Sequence, residues 1–194
     1  MEDSRRRGRR MFLLIAALFL LPVAVAFALY YGNVWRPSGS SSKGELITPA
    51  RPLVTAGLRL PDGTTAAADA LQGKWSIVYV GDGSCDDACR TALVFARQTR
   101  IALNNEMTRV QIVLLANQHC CQPDIEGHVP GIRMFDASSN DAAPLLAQFP
   151  EEQRARSLFI VDPLGNLMMR HDAAQTSKDL LTDLKKLLKL SHIG

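Results

Sequence analysis

Between Met11 and Trp35 the chain carries no charged residue. About 20 apolar residues of helix span the hydrocarbon core of a bilayer. Within lipid only a helix satisfies the backbone polar groups of a single segment. Ahead of the run, Arg5, Arg6, Arg7, Arg9 and Arg10 outweigh Glu2 and Asp3, giving the first ten residues a net charge of +3, the same as the whole chain. The basicity therefore belongs to the tail, the remainder is electrically balanced, and no nucleic-acid partner is implied by it. Arginines before a span place that end in the cytoplasm. The sequence predicts a basic cytoplasmic tail over 1–10 and a transmembrane helix over 11–33. Tyr30, Tyr31 and Trp35 stand where an interfacial belt lies. Everything after the helix is then extracytoplasmic, periplasmic for a single-pass inner-membrane protein. A cleaved signal peptide is the alternative, with Pro22 closing its core and Ala24-Val-Ala26 as the cleavage site. The apolar run is longer than the 7–15 residues such a core uses. Either reading exports the rest into an oxidising compartment, where thiols need a reason to stay reduced.

Residues 34–56 read as a linker and an irregular lead-in. Arg36 to Lys43 is polar and flexible, and Pro49 and Pro52 make residues 44–56 extended but irregular. A domain is expected over 57–194. Leu58 to Thr65, with Pro61-Asp-Gly63 at its centre, predicts a short hairpin. Ala66 to Leu71 predicts a helical turn. Trp75 to Val80 reads as a buried strand and Cys89 to Asn104 as a helix, with Ala92, Phe95, Ala96, Thr99, Ala102 and Leu103 on its inner face. Arg109 to Ala116 reads as a second buried strand. Two apolar strands joined through a helix form a right-handed βαβ unit with parallel strands. Residues 117–143 are rich in loops, with a short helix expected near Ile132–Phe135 and another over Ala143–Phe149. Leu158–Val161 and Leu167–Met169 predict a hairpin around Asp162-Pro-Leu-Gly165. A final helix is expected from Thr176, with Asp179 as a capping carboxylate. Its buried stripe is Leu180, Leu181, Leu184, Leu187 and Leu188, and Lys185, Lys186 and Lys189 suit its negative end. This order is an α/β, thioredoxin-like layout, a mixed central sheet with flanking helices. There is no internal repeat, P-loop, dinucleotide fingerprint or serine nucleophile elbow.

The chemistry concentrates at Cys85 and Cys89. They come after the strand and the break Gly81-Asp-Gly-Ser84, and they open the helix. Thiols at positions i and i+4 share a helix face, so the pair can hold a soft metal or close as a disulfide. A helix N-terminus lowers thiol pKa, whereas Asp86 and Asp87 raise it and favour a bound cation. Inert packed thiols or a purely structural disulfide are the plainer alternative. Asn117-Gln-His119-Cys120-Cys121 is a second constellation. Parallel strands release their loops at one sheet edge, the edge where open α/β sheets bind ligands. His119, Cys120 or Cys121 is therefore a candidate further metal ligand or resolving thiol, against a loop with incidental or mutually paired thiols. His128 is expected to be solvated, His171 (after Met168-Met169) to pack in the core, and His192 to be free.

Val80-Gly-Asp-Gly-Ser-Cys85-Asp-Asp87-Ala-Cys89-Arg-Thr91-Ala-Leu93 resembles the signature of the Sco/SenC family, with Gly81, Cys85, Asp87, Cys89, Thr91 and Leu93 matching. Gln72-Gly-Lys-Trp75 and Leu158 to Gly165 fit as well, and with the anchor the resemblance covers roughly 11–190. It implies a membrane-anchored thioredoxin fold that assists the copper sites of cytochrome c oxidase. It further implies Cu(I) as cargo, Cys85 and Cys89 as ligands or redox residues, and oxidase subunits or other assembly factors as partners. The sequence departs from the family at Asp86 and Arg90, where prolines stand, and at Arg154, which holds the position of the copper-ligating histidine. Two alternatives remain. One is a membrane-tethered thiol–disulfide oxidoreductase, although the spacing is Cys-x-x-x-Cys and not the Cys-x-x-Cys of redox thioredoxins. The other is a non-catalytic scaffold in oxidase assembly.

Overall fold

The computed structural model describes residues 2–32, 42–174, 177–191 and 193. Trp35, linker residues 36–41, Thr176 and His192 lie outside the described residues. The chain divides into two compact units, Met1–Ser41 and Ser42–Gly194.

Among its described residues the first unit holds one helix, α1, Glu2–Tyr31. Within it Arg6–Leu29, 24 residues, is long and apolar enough to cross a membrane, and none of it is buried in the structure. At 1.5 Å per residue that stretch is about 36 Å long, more than a hydrocarbon core of about 30 Å. Large apolar side chains such as Phe12, Leu18 and Phe19 are exposed all round it, a surface that water disfavours and lipid accepts. Pro22 lies inside the helix.

The second unit is built on a six-stranded mixed sheet in the order β1-β6-β5-β2-β3-β4. Its strands are β1 Glu45–Pro52, β2 Trp75–Asp82, β3 Val110–Gln118, β4 Arg133–Asp136, β5 Ser157–Val161 and β6 Asn166–Asp172. The helices are α2 Asp87–Ala102, α3 Asp124–His128, α4 Ala143–Leu146 and α5 Ser177–Leu190. β2 and β3 pair in parallel from Trp75↔Val110 to Gly81↔Ala116, then slip by one so that Asp82 faces Gln118. Side chains alternate between two cores, as strand geometry requires. Ile77, Tyr79, Ile112, Leu114, Leu158 and Ile160 meet α2 and α5 through Ala92, Leu93, Ala96, Leu180, Leu184 and Leu188. Val78, Val80, Val113, Leu115, Phe159 and Val161 meet Leu58, Leu71, Ala142, Leu145 and Phe149 on the other face. The Phe149 and Phe159 rings pack edge-on with centroids 5.0 Å apart.

Several expectations are corrected. Residues 45–52, read as irregular, form β1 on the edge of the sheet. Its pairing with β6 is interrupted between Leu46 and Arg51. Prolines are tolerated in a sheet at an edge or an irregularity, so Pro49 and Pro52 mark an edge strand and not the absence of one. The helix placed at 132–135 is β4, parallel to β3; four apolar-rich residues are too few for periodicity to separate helix from strand. The turn expected at 58–65 is present, but it closes through a single bridge, Arg59↔Thr65, while Arg59 also bridges Asp136. Ala102 is exposed, and Leu93 takes the inner position.

A buried polar knot ties the start of this unit to its last helix. Asp183 of α5 and His171 of β6 are each 2 % exposed. Asp183 Oδ2 accepts hydrogen bonds from Lys43 N, at 2.7 Å, and Gly44 N, at 2.8 Å. His171 Nε2 lies 3.4 Å from the same oxygen and 3.2 Å from Met169 Sδ. Gly44 is required there, because a Cβ would stand 2.5 Å from the imidazole. Burial pushes His171 below the ordinary histidine range, against the opposing pull of Asp183 and Asp179.

Asp183→Ala removes the acceptor of two backbone donors, of which the buried Gly44 N–H costs about 1–3 kcal/mol when unsatisfied, and is expected to lower the stability of the Ser42–Gly194 unit by about that amount in urea titrations. The knot also makes stability depend on pH. Because the folded histidine has the lower pKa, the unfolded chain binds the proton first as pH falls below about 6.5, and stability drops. His171→Gln should flatten that slope between pH 7.5 and 5.

Candidate functional site

β2 ends at Asp82, and the chain must reverse within four residues to start α2. Asp82 organises that reversal. Its Oδ1 accepts the Ser84 N–H at 2.8 Å, and its carbonyl accepts the Cys85 N–H at 3.0 Å. Cys85 takes left-handed backbone, φ 49°, an uncommon conformation for a residue with a side chain. Asp86 then caps α2, its carboxylate accepting the Cys89 N–H at 2.9 Å. The cap positions the second cysteine one helical turn from the first.

Cys85 and Cys89 are joined as a disulfide, with Cα atoms 5.1 Å apart. They are 1 % and 2 % exposed and pack in the cluster that holds Tyr79, Ala92, Leu93, Ile125 and Leu158. The i, i+4 spacing allowed this pairing alongside a metal site or packed thiols; burial was not legible, since cysteine packs as readily as a small apolar residue. Arg90 lies over the surface nearby, 3.9 Å from Asp87 and 3.8 Å from Asp124 of α3.

The loop after β3 comes out beside this turn, as parallel strands demand. Gly83 N donates to Gln118 O at 2.8 Å, and Gln122 N donates to Gly83 O at 3.2 Å. A Cβ on Gly83 would stand 2.6 Å from His119 O and 2.8 Å from Cys120 Cα. Asp82 Oδ2 pairs with His119 Nδ1 at 2.9 Å. The Ser84 amide first, and then His119, hold the Asp82 carboxyl below the usual carboxylate range. His119, with φ 43°, also has left-handed backbone. Cys120 and Cys121 are bonded to each other and half-buried. The structure thus brings all five sequence candidates to one edge, but as two closed pairs. Among the described residues no three His, Cys, Asp or Glu side chains converge to hold a metal ion.

Arg154 lies in the 3-10 turn Glu151–Arg156. Its Nε donates to Phe149 O at 3.0 Å and its Nη2 to Leu146 O at 2.7 Å. The guanidinium thus satisfies carbonyls at and beyond the end of α4, a structural task with no share in the sulfur site. Tyr79 is the residue sequence reasoning missed. Its hydroxyl donates to Ala155 O at 2.9 Å, and burial, with a smaller contribution from Asp86, pushes its pKa up to about 12. Gly81 was the available signal, since a Cβ there would stand 2.7 Å from the Tyr79 ring. A groove of about 410 Å³ runs beside the first turn of α2, lined by Asp87, Ala88, Thr91, Ala155, Arg156 and Asp172. Of the other histidines, His128 is exposed with Nδ1 2.9 Å from Asp124 O, and His171 is buried as described.

The chain belongs to the family described as transmembrane-like, thioredoxin-like, C-terminal domain, whose model matches residues 75–191. Its fold is shared with solved Sco proteins. The apo Sco1 protein of Thermus thermophilus superposes with a TM-score of 0.61 at 19 % identity, covering 77 % of this chain and 99 % of that one. Yeast Sco1 with copper bound gives 0.59 at 16 % identity, covering 79 % and 96 %. BsSco, a member of the Sco family of cytochrome c oxidase assembly proteins in which a disulfide switch was identified, gives 0.52 at 13 % identity, covering 73 % and 96 %. No curated protein matches the sequence significantly.

Loss of the Asp86 cap should cost about 1 kcal/mol, so Asp86→Ala is expected to lower the melting temperature by a few degrees, and Asp86→Asn by less. Gly83→Ala should cost more, because the methyl meets backbone that cannot swing aside. It should also raise the accessibility of Cys120 and Cys121 to a maleimide after reduction.

Proposed function

We propose that the chain is a membrane-anchored, thioredoxin-like assembly factor for cytochrome c oxidase. It works through Cys85 and Cys89, carrying Cu(I) or keeping the thiols of an oxidase copper site reduced. The observation that carries this reading is the sulfur pair at the sheet's carboxyl edge, closed on the capped first turn of α2. The shared fold with copper-bound yeast Sco1 and with BsSco supports it. Arg6–Leu29 supplies the anchor. The arginines before it put the N-terminus in the cytoplasm and the thioredoxin-like unit on the outer side of the inner membrane. Oxidase subunits or other assembly factors are the partners.

The donor set fits a cuprous ion in one state only. When the disulfide is reduced, two thiolates are available, a ligand type that selects Cu(I). Arg154 offers no third ligand, being cationic and already spent on Phe149 O and Leu146 O. Copper loading is therefore tied to the redox state of the pair. That coupling also favours the second reading, a membrane-tethered thiol–disulfide oxidoreductase, for which the closed pair is the oxidised resting form.

Anaerobic titration of the reduced, detergent-solubilised chain with Cu(I) against a competing chelator tests the leading reading. One equivalent of tight Cu(I) is expected, abolished in Cys85→Ser/Cys89→Ser and undetectable in the oxidised protein, with Cu(II) bound weakly if at all. Binding that survives the double substitution would exclude the site. Catalytic reduction of a mixed disulfide without Cu(I) binding would select the oxidoreductase.

A further inference from the structure

The second sulfur pair has no place in the function just described, yet it is the more accessible of the two. Thiol–disulfide exchange requires a thiolate to reach one sulfur of the bond it breaks. Cys85 and Cys89, 1 % and 2 % exposed, give a thiolate on another protein no such approach. Cys120 and Cys121 are only partly covered. All four cysteines are in disulfides. The two pairs sit on loops laced through Gly83, whose N–H and carbonyl bond to Gln118 and Gln122 on either side of the vicinal pair. The approach is close enough that Gly83 has room for no side chain against Cys120. Asp82 holds both loops at once: its carbonyl and Oδ1 shape the Cys85 turn, and its Oδ2 fixes His119, the neighbour of Cys120.

We propose that Cys120–Cys121 is the port through which electrons enter and leave Cys85–Cys89, with a protein dithiol as the external partner. This rests on reading Cys85 and Cys89 as a working dithiol. In the reducing direction the partner's dithiol opens the Cys120–Cys121 bond and leaves as a disulfide, having passed on two electrons and two protons. A thiolate of the vicinal pair then attacks the Cys85–Cys89 bond, forming an internal mixed disulfide and releasing one thiolate. The remaining vicinal thiolate attacks that mixed disulfide. The Cys120–Cys121 bond re-forms, and Cys85 and Cys89 end as the dithiol, taking up the two protons. The reverse sequence oxidises the buried pair when the partner is a disulfide.

The test uses the oxidised full chain in detergent with excess reduced thioredoxin, a dithiol presented on a folded protein. Samples are quenched in acid and alkylated, and thiols are located by peptide mass spectrometry. Thiols are expected to accumulate first at Cys85 and Cys89, with Cys120–Cys121 re-formed behind them, and at least one of the single variants Cys120→Ser and Cys121→Ser, left with one vicinal thiol and no resolving partner, should hold a mixed disulfide to Cys85 or Cys89. Cys120→Ser/Cys121→Ser should slow reduction of the buried pair at least tenfold. Equal rates in variant and wild type overturn the proposal, as does the absence of that internal mixed disulfide from both single variants. The single variants each remove one sulfur from the loop and leave the buried pair intact, so the mixed disulfide decides the question even where the double variant folds poorly. Cu(I) binding is measured separately on chemically reduced chain. A failed relay with intact Cu(I) binding overturns the port and leaves the copper site standing. A working relay without Cu(I) binding supports the port and removes the copper reading.

Discussion

The parallel pairing of β2 with β3 is the constraint on which the rest depends. Parallel neighbours need a crossover between them, and here α2 is that crossover. Both chains therefore leave the sheet at the same edge, one toward Cys85 and the other toward His119. The pairing also slips at its last step, between Gly81 and Asp82. Irregularities of this kind redirect side chains next to functional sites, and here the residue after the slip is Asp82. A single carboxylate can then serve two loops because the sheet delivers them side by side. Hydrogen bonds to Asp82 and Gly83 maintain that proximity.

Covalent and polar forces divide the work around this edge. The disulfide links the turn to the helix, but the cap at Asp86 and the Asx-type bond to Ser84 would direct the chain there without it. The turn is thus held by these groups as well as by the sulfur bond. Tyr79 contributes from below. Its phenol, kept neutral by burial, binds the 3-10 turn at Ala155 and joins the strand under the dithiol to the turn that carries Arg154.

Much of this was legible in the sequence, and the pattern of what was missed is physical. Trp75–Val80 and Arg109–Ala116 are mostly apolar runs, broken only by Ser76, Arg109 and Gln111, a pattern typical of buried parallel strands. The leucine stripe of α5 repeats at helical spacing. The glycines at 81 and 83 and the cysteines at i and i+4 announced the site's local geometry. Edge strands β1 and β4 escaped because one contains two prolines and the other is four residues long, so neither shows a clean alternation. Arg154 was legible as a departure from the Sco pattern, but its task was not: a side chain that caps carbonyls of a neighbouring helix leaves no periodic trace. Asp183 was hidden for a related reason. It stands within an amphipathic helix among lysines, and only the fold shows that it faces inward. The burial of Cys85 and Cys89 depends on α3 and β5, which lie far away in sequence.

The knot at Asp183 joins positions some 140 residues apart in the chain. Residues 43 and 44 come soon after the apolar helix, and their acceptor arrives only with the final helix. A chain made from its N-terminus onward therefore presents both donors long before this clasp can close. Until α5 has been made, residues 43 and 44 stay unfastened, and a late element secures the opening residues of its own unit.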